Sequence, residues 1–566
     1  MSKKQDRLSL KDATKLTVRG YKFIYSKHPN LLISDGLFSI VSAITPYVGI
    51  YLMALIINEI STTRSQERLT TLIIISLVSA AVLALLNAIL LRWSNYHREN
   101  FGWLKVNGLY TEKLLSLDYD KIDNPRTHDL LAQIRSNANM NWYGLPRLAM
   151  SFRAIINAIT TIIGAIALSI SLFRLPVPDD AGWLTILNSP FLVISVVILM
   201  FVITMLTPVF NSKSQSYWTK TSDKMLLMNR TLGFFGWHMK ERKRALDVRI
   251  YRQDKITTHT FASSYNSEGG LGPKSALGKF ARGSMGVFAA IGSGIAQIFI
   301  GVVYVFVCLK AWGGAFPIGS VTQYIAAITA LSGGIARLFT ELTLLRHNTH
   351  YLKTSFEFLD IKNDMYQGSL TVEKRSDLKY EIEFKNVSFK YPNTDNYVLK
   401  NVSIKFKVGE RLAVVGMNGS GKTTFIKLLC RLYDPTEGEI LLNGINIRKY
   451  DYHEYMSIFS IVFQDFKLLS LSLGQNIATG PQYDSEKALK CLEEAGFGVR
   501  LDKMPNSLET YLYKDFVEDG VEVSGGEAQK IALARALYKN AAFVVLDEPT
   551  AALDPIAEHE VYSKMN

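Results

Sequence analysis

An α-helical six-span transmembrane domain followed by an α/β phosphate-loop domain is the fold the sequence predicts. Six long stretches with few or no charges, a glycine-rich loop of the form G-x-x-x-x-G-K-T, and a polar break between the two regions predict it. The chain has 566 residues, of which 48% are hydrophobic and 20% charged, which excludes a disordered chain and fits a purely water-soluble enzyme poorly. A net charge of +13 could by itself attract nucleic acid. Membrane proteins also gather basic residues on their cytoplasmic side, so the distribution decides. Cys308, Cys430 and Cys491 are far apart and form no C-x-x-C pair, which gives neither a disulfide framework nor a zinc site.

Crossing roughly 30 Å of hydrocarbon takes about 20 helical residues. Residues 37–57, 72–91, 154–173, 191–210 and 283–309 contain no charged side chain. The sixth span starts near Ile318 and is weaker, with Gly333 and Gly334 near its middle and Arg337 and Glu341 toward its end. The basic N-terminal segment lacks the short apolar core and small-residue site of a cleavable signal, so the first span is expected to stay in the membrane. Connections are short after the first, third and fifth spans and long after the second and fourth, so both long ones share a side. Arg92, Arg98, Lys105, Lys113 and Lys121 beside the first, and KERKRALDVRIYRQDK in the second, point that side inward. The positive charge thus has a membrane explanation, and no nucleic-acid partner is expected.

Both long connections carry apolar residues at spacings of three and four, which predicts helices extending into the cytoplasm. Each is interrupted by a candidate short transverse helix, around LDYDKIDNPRTHDL and around ALDVRIYRQDKI. The polar stretch YQGSLTVEKRSDL then separates the sixth span from alternating YEIEFKNVSF. The expected division is a membrane domain at 1–366, a linker at 367–378 and the second domain at 379–566.

An apolar strand is predicted at Arg411–Val415, before Gly416, Asn418, Gly419, Ser420, Gly421, Lys422, Thr423 and Thr424, and the helical pattern FIKLLCRL follows. Phosphates carry dense negative charge, so glycines that let backbone N–H groups crowd close, at the start of a helix, make a phosphate cradle. Lys422 is placed to neutralise the β- and γ-phosphates and Thr423 to bind Mg²⁺. Phe543–Leu546 reads as a buried strand ending in Asp547 and Glu548. Two carboxylates there call for a cation: Asp547 for the Mg²⁺ shell, Glu548 for the attacking water. Between these motifs, Ser524, Gly525 and Gly526 open an amphipathic helix in VSGGEAQKIALARAL, a second helix start suited to an anion.

In this arrangement the sequence resembles the ATP-binding cassette transporters of exporter type, in which six spans precede one α/β P-loop NTPase cassette. The family signature is usually LSGGQ; Val523 and Glu527 depart from it here. The resemblance covers nearly the whole chain and implies ATP and Mg²⁺ as ligands. It implies further that Tyr391 in VSFKYP stacks on adenine, that Gln464 in IVFQDF senses Mg²⁺ and the attacking water, and that Asp554 in AALD communicates across two cassettes. Val517–Gly520 is similar to the segment that touches the transverse helices of exporters. The family histidine that contacts the γ-phosphate follows AALD after a further helix and strand, and His559 is too close to Asp554 to match it. Either the natural chain continues past Asn566, which the otherwise intact site favours, or the polypeptide is catalytically impaired.

The same resemblance implies a dimer, since each ATP lies between the Gly416 loop of one cassette and the Ser524 segment of the other. The second half is either an identical or a different half-transporter. The expected function is an ATPase driving outward transport of a peptide, drug or lipid-like substrate in a cell membrane crossed several times, with the cassette in the cytoplasm. An ATP-gated regulator or channel, and import by an exporter-like fold, stand as alternatives. Arg337 and Glu341 either line the transport path or mark the inner end of the sixth span. No leader-cleaving domain is expected.

Overall fold

The computed structural model describes residues 9–236, 244–373, 380–392 and 394–547. It divides into two compact units: Met1–Leu115 with Arg126–Ile361, and Ser116–Pro125 with the chain from Lys362 onward.

The first unit is helical. Helix α1 (Leu10–Lys27) starts at Ser9, whose hydroxyl accepts from the Asp12 N–H at 3.1 Å. Then come α2 (Pro29–Ser61), α3 (Gln66–Glu99), a π-helical turn at Asn100–Lys105, and α4 (Val106–Leu115). The short helix α5 (Tyr119–Ile122), which falls in the second unit, leads to α6 (Pro125–Asn141) and α7 (Leu145–Arg174). Helices α8 (Pro190–Gly236), α9 (Ala245–Ile250), α10 (Gln253–Asn266), α11 (Ala276–Arg282), α12 (Ser284–Trp312) and α13 (Ile318–Leu359) complete it. Among the described residues six segments are long and apolar enough to span a bilayer: Pro29–Ser61, Gln66–Glu99, Leu145–Arg174, Pro190–Tyr217, Ala276–Trp312 and Ile318–Leu359. All six predicted spans are present, and short helices stand where both candidate transverse helices were expected.

Apolar side chains such as Leu77, Leu85, Ile163 and Phe191 lie open on the helix surfaces, as lipid contact requires. Lipid supplies no hydrophobic gain for helix association, so close approach and polar bonds must hold the helices together. Gly164 on α7 lies under the ring of Tyr47, 2.6 Å from where a Cβ would stand, and the Tyr47 hydroxyl donates to the Thr161 carbonyl at 2.6 Å. Buried Lys310 on α12 donates to the carbonyls of Leu172 and Leu175 at 2.9 and 2.8 Å, satisfying groups that the end of α7 leaves open. Arg337 donates to Asn157 at 3.0 Å, and Glu341 accepts from Ser151 at 2.9 Å with Arg147 3.5 Å away, so both engage α7.

The second unit opens with β1 (Glu381–Phe389) and β2 (Leu399–Lys407), followed by α14 (Lys422–Leu429), β3 (Glu437–Leu442) and β4 (Ile445–Asn446). These four strands form an antiparallel sheet in the order β2-β1-β3-β4. After α15 (Tyr452–Ser457) come β5 (Phe459–Val462), α16 (Leu473–Ala478), α17 (Ser485–Glu494), α18 (Gly498–Leu501), α19 (Gly525–Lys539) and β6 (Phe543–Leu546). Strand β6 pairs in parallel with β5. One core packs Ile382, Phe384, Phe425, Leu428 and Phe459; a second packs Leu473, Leu492, Phe497, Ile531 and Ala534 beneath α16, α17 and α19.

One predicted strand is not formed. Residues 411–415 belong to no sheet, and Leu412, Val414 and Val415 are exposed, Val415 at 91%. Apolarity marks a segment able to be a strand, but a strand also needs a ladder with a neighbouring strand, and no strand pairing among the described residues includes 411–415. The segment Ser116–Pro125 is stitched to the second unit: the Asp118 N–H donates to Asn363 at 2.9 Å, Asn363 to the Ser116 carbonyl at 2.7 Å, and the Met365 N–H to Asp118 at 3.0 Å.

Replacing Gly164 by valine is expected to drive a side chain into the Tyr47 ring and cost about 1–3 kcal/mol. A lowered melting temperature in detergent checks this, with Gly333→Ala, at a glycine with open space around it, unchanged as the control.

Candidate nucleotide site

The loop ahead of α14 bends back on itself through Gly419 and Gly421, at φ +83° and +96°, values that side chains with a Cβ adopt only with strain. At Gly421 a Cβ would also press on Leu399 and Val398. No side chain caps the start of α14, which leaves the N–H groups of its first turn without a side-chain cap. The Lys422 ammonium donates to the Gly416 carbonyl at 3.0 Å, which lays it across the loop. Backbone dipoles and a cation thus converge on one point, an arrangement that binds phosphate.

The Thr423 hydroxyl donates to Asp547 Oδ2 at 2.9 Å. Asp547 is buried, and its N–H donates to the Val462 carbonyl at 2.9 Å, continuing the β5–β6 ladder by one residue. Among the described residues the side-chain partner of this buried carboxylate is a neutral hydroxyl, and a buried charge is favoured by a counter-charge. One carboxylate and one hydroxyl oxygen are donors of the kind that suits Mg²⁺.

Tyr391, just beyond β1, packs against Phe389 and Tyr433 with ring centres 5.1 and 5.4 Å apart, and its hydroxyl shares a 2.9 Å hydrogen bond with Thr424. A cavity of about 730 Å³ lies against it, lined in part by Phe389, Tyr433, Asp434 and Thr436. Tyr433 bonds through its hydroxyl to Asp123; burial, and then that carboxylate, push its phenol well above the usual range. Gln464 is exposed in the loop two residues past the end of β5, close in sequence to the Val462 carbonyl that anchors Asp547.

Ser524 is the N-cap of α19, and Gly525 and Gly526 open the helix. This helix packs chiefly on α16, α17 and β5, while the loop at Gly416 belongs with the other core. The structure therefore joins Lys422, Thr423 and Asp547 in one place and leaves Ser524, Gly525 and Gly526 on a separate helix start. Glu548 and Asp554 lie outside the described residues. Thr424 belongs to the loop singled out from sequence, whereas the side-chain partners Tyr433 and Arg500 were not. The S-x-x-E spacing of Ser524 and Glu527 was the one available signal, as it marks a capping box.

Residues 399–551 match the ABC transporter domain family. The chain is 27% identical over 571 residues to the subtilin transport ATP-binding protein of Bacillus subtilis, covering 96% of this chain and 84% of that protein. Residues 399–551 carry an ABC transporter domain, and the chain is homologous along its length to ATP-binding cassette exporters. It is 32% identical to the nisin transport ATP-binding protein of Lactococcus lactis subsp. lactis over 45% of this chain and 43% of that one. It is 30% identical to the ATP-dependent lipid A-core flippase of Burkholderia orbicola over 48% of this chain and 44% of that protein. These two matches span less than half of the relatives' length. A bacterial Atm1-family ABC exporter with ATP bound shares the fold, with a TM-score of 0.64 at 18% identity over 94% of this chain and 88% of that one. Among the described residues the chain joins six helices long and apolar enough to cross a membrane to one ABC transporter domain, the arrangement of a multi-pass membrane protein.

Asp547→Asn in this transporter is expected to weaken ATP binding tenfold or more, about 1.4 kcal/mol, when Mg²⁺ is present. Binding in EDTA should change little. Fluorescent-nucleotide titration with and without the metal checks both.

Proposed function

We propose that the chain is one half of an ATP-driven exporter that works as a dimer, with its cassette in the cytoplasm. The observation that carries the proposal is the Thr423–Asp547 bond at the Lys422 loop, in a chain that also holds six spans. Lys422 and the first N–H groups of α14 bind the triphosphate, and Thr423 and Asp547 hold its Mg²⁺. When bound, the metal supplies charge neutralisation at the β- and γ-phosphates. Tyr391 carries the adenine on its ring face. Gln464 and Glu548 orient the attacking water, with Glu548 receiving its proton. Asp554 links the two sites.

A second copy or a different half-transporter supplies the other wall. The Ser524 hydroxyl and the N–H groups of Gly525 and Gly526 are suited to meet the γ-phosphate bound on the partner's loop. ATP then joins the cassettes because its charge is matched from both sides, and hydrolysis removes that match. A peptide substrate is favoured among peptide, drug and lipid-like candidates. The relative that matches nearly the whole chain is named for subtilin transport, whereas the lipid A-core flippase matches over less than half of it.

In inverted membrane vesicles the wild type is expected to accumulate labelled peptide against its gradient when Mg-ATP is added, and Lys422→Ala to abolish accumulation. Nucleotide binding without uphill movement would support an ATP-gated regulator, and flux of opposite sign an importer. Ser524→Ala is expected to lower ATP turnover about tenfold or more, the size seen when one donor to a developing charge is lost, with single-cassette nucleotide affinity retained. Turnover assays paired with binding titrations check the split.

A further inference from the structure

The departure of the signature from glutamine to glutamate has a structural counterpart. Glu527 does not point forward from the start of α19. Its Oε2 accepts from the Ser524 N–H at 2.8 Å, and its own N–H donates to the Ser524 hydroxyl oxygen at 3.3 Å, closing a capping box. Its other oxygen, Oε1, lies 2.9 Å from Arg500 Nε on α18, close enough for an ion pair although the N–H is not aligned for a hydrogen bond.

The position of Arg500 is built rather than accidental. Phe497, fully buried, anchors the start of α18, and the Arg500 N–H donates to the Phe497 carbonyl at 3.0 Å. The same turn is tied to α19 by Lys530, whose ammonium donates to the Gly496 carbonyl at 3.0 Å. Two separate contacts, one apolar and one polar, thus hold the guanidinium beside the first turn of the signature helix.

A carboxylate at a helix start gains from the helix dipole but spends the positive potential that would otherwise meet a phosphate. A glutamate alone beside Ser524 would repel a triphosphate; a glutamate with a guanidinium at ion-pair distance presents little net charge a few ångströms away. We propose that Arg500 is a positioning residue that neutralises Glu527, so that a signature helix with glutamate in place of glutamine still offers an anion-attracting end. This rests on the reading that the Ser524 end of α19 meets nucleotide on a partner cassette. The glutamate keeps its cap function, which the box requires, while the arginine from the neighbouring turn removes its electrostatic penalty.

The test uses the purified full chain in lipid vesicles and measures Mg-ATP turnover. Arg500→Gln is expected to lower turnover about tenfold at low salt and by less at ~0.5 M salt, where screening shortens the reach of a bare charge. Arg500→Lys and Glu527→Gln should each stay within about threefold of wild type, and Arg500→Gln combined with Glu527→Gln should return to that range, because no carboxylate then remains to compensate. A double variant as slow as Arg500→Gln, or an Arg500→Gln variant equal to wild type, would overturn the proposal. If Arg500→Gln melts early, a double variant that melts equally early also overturns it, since lost packing would then be the cause. A double variant restored in both stability and turnover supports it. A wild-type chain with no turnover would sink the underlying reading as well; wild-type turnover without rescue sinks this inference alone.

Discussion

The hydrogen bond from Thr423 to Asp547 is the constraint on which the nucleotide site depends. It joins the first turn of α14 to the end of β6, two elements 124 positions apart. Asp547 can stand there only because β6 pairs with β5 and the ladder runs one residue further to the Val462 carbonyl. The phosphate loop and the Asp547 carboxylate are therefore positioned by different parts of the sheet and core. A carboxylate buried against a hydroxyl is favoured by a cation beside it, which is the physical basis of the metal role proposed above.

Within the second unit, an aromatic cluster ties Tyr391 to the segment that carries α5. Tyr391 packs on Tyr433, and Tyr433 both packs on Tyr119 and bonds to Asp123 in the segment that carries α5. Lys427, on the helix that begins with Lys422, stands over the rings of Tyr119, Tyr391 and Tyr433 at 5.4, 5.8 and 6.0 Å. Residues 116–125 are joined by backbone to α4 and α6 and held by side chains within the second unit. Asp118 and Asn363 add a second tie at the point where the chain leaves α13. Aromatic rings and short polar bonds suit this task because both lose energy steeply when displaced.

The membrane unit follows a different rule. Its helices gain nothing by leaving lipid for one another, and the polar contacts are correspondingly specific: Tyr47 to Thr161, Lys310 to the end of α7, Glu341 to Ser151. Lys310 is a buried lysine whose ammonium donates to two carbonyls that a helix end would otherwise leave open, which explains a lysine at the end of a span. Arg337 and Glu341 show the same economy, each engaging α7, so charge within a span here first answers a packing need.

Much of this molecule was legible in its sequence, for a physical reason. The six spans follow from uncharged length alone, because lipid cannot solvate a backbone outside a helix, and the loop at Gly416 to Thr424 follows from local chemistry, because phosphate demands glycine, lysine and a helix start in one short stretch. What lay beyond reach were contacts between distant residues. Apolarity at Arg411–Val415 promised a strand that the sheet does not include. The partners of Asp118, Tyr433 and Lys310 lie far away along the chain, and the charge of Glu527 looked uncompensated until folding brought Arg500 to it. Composition and spacing determined what each segment could be; only tertiary structure decided which buried charges and open hydrogen-bonding groups would find one another, since that depends on distances no linear order contains.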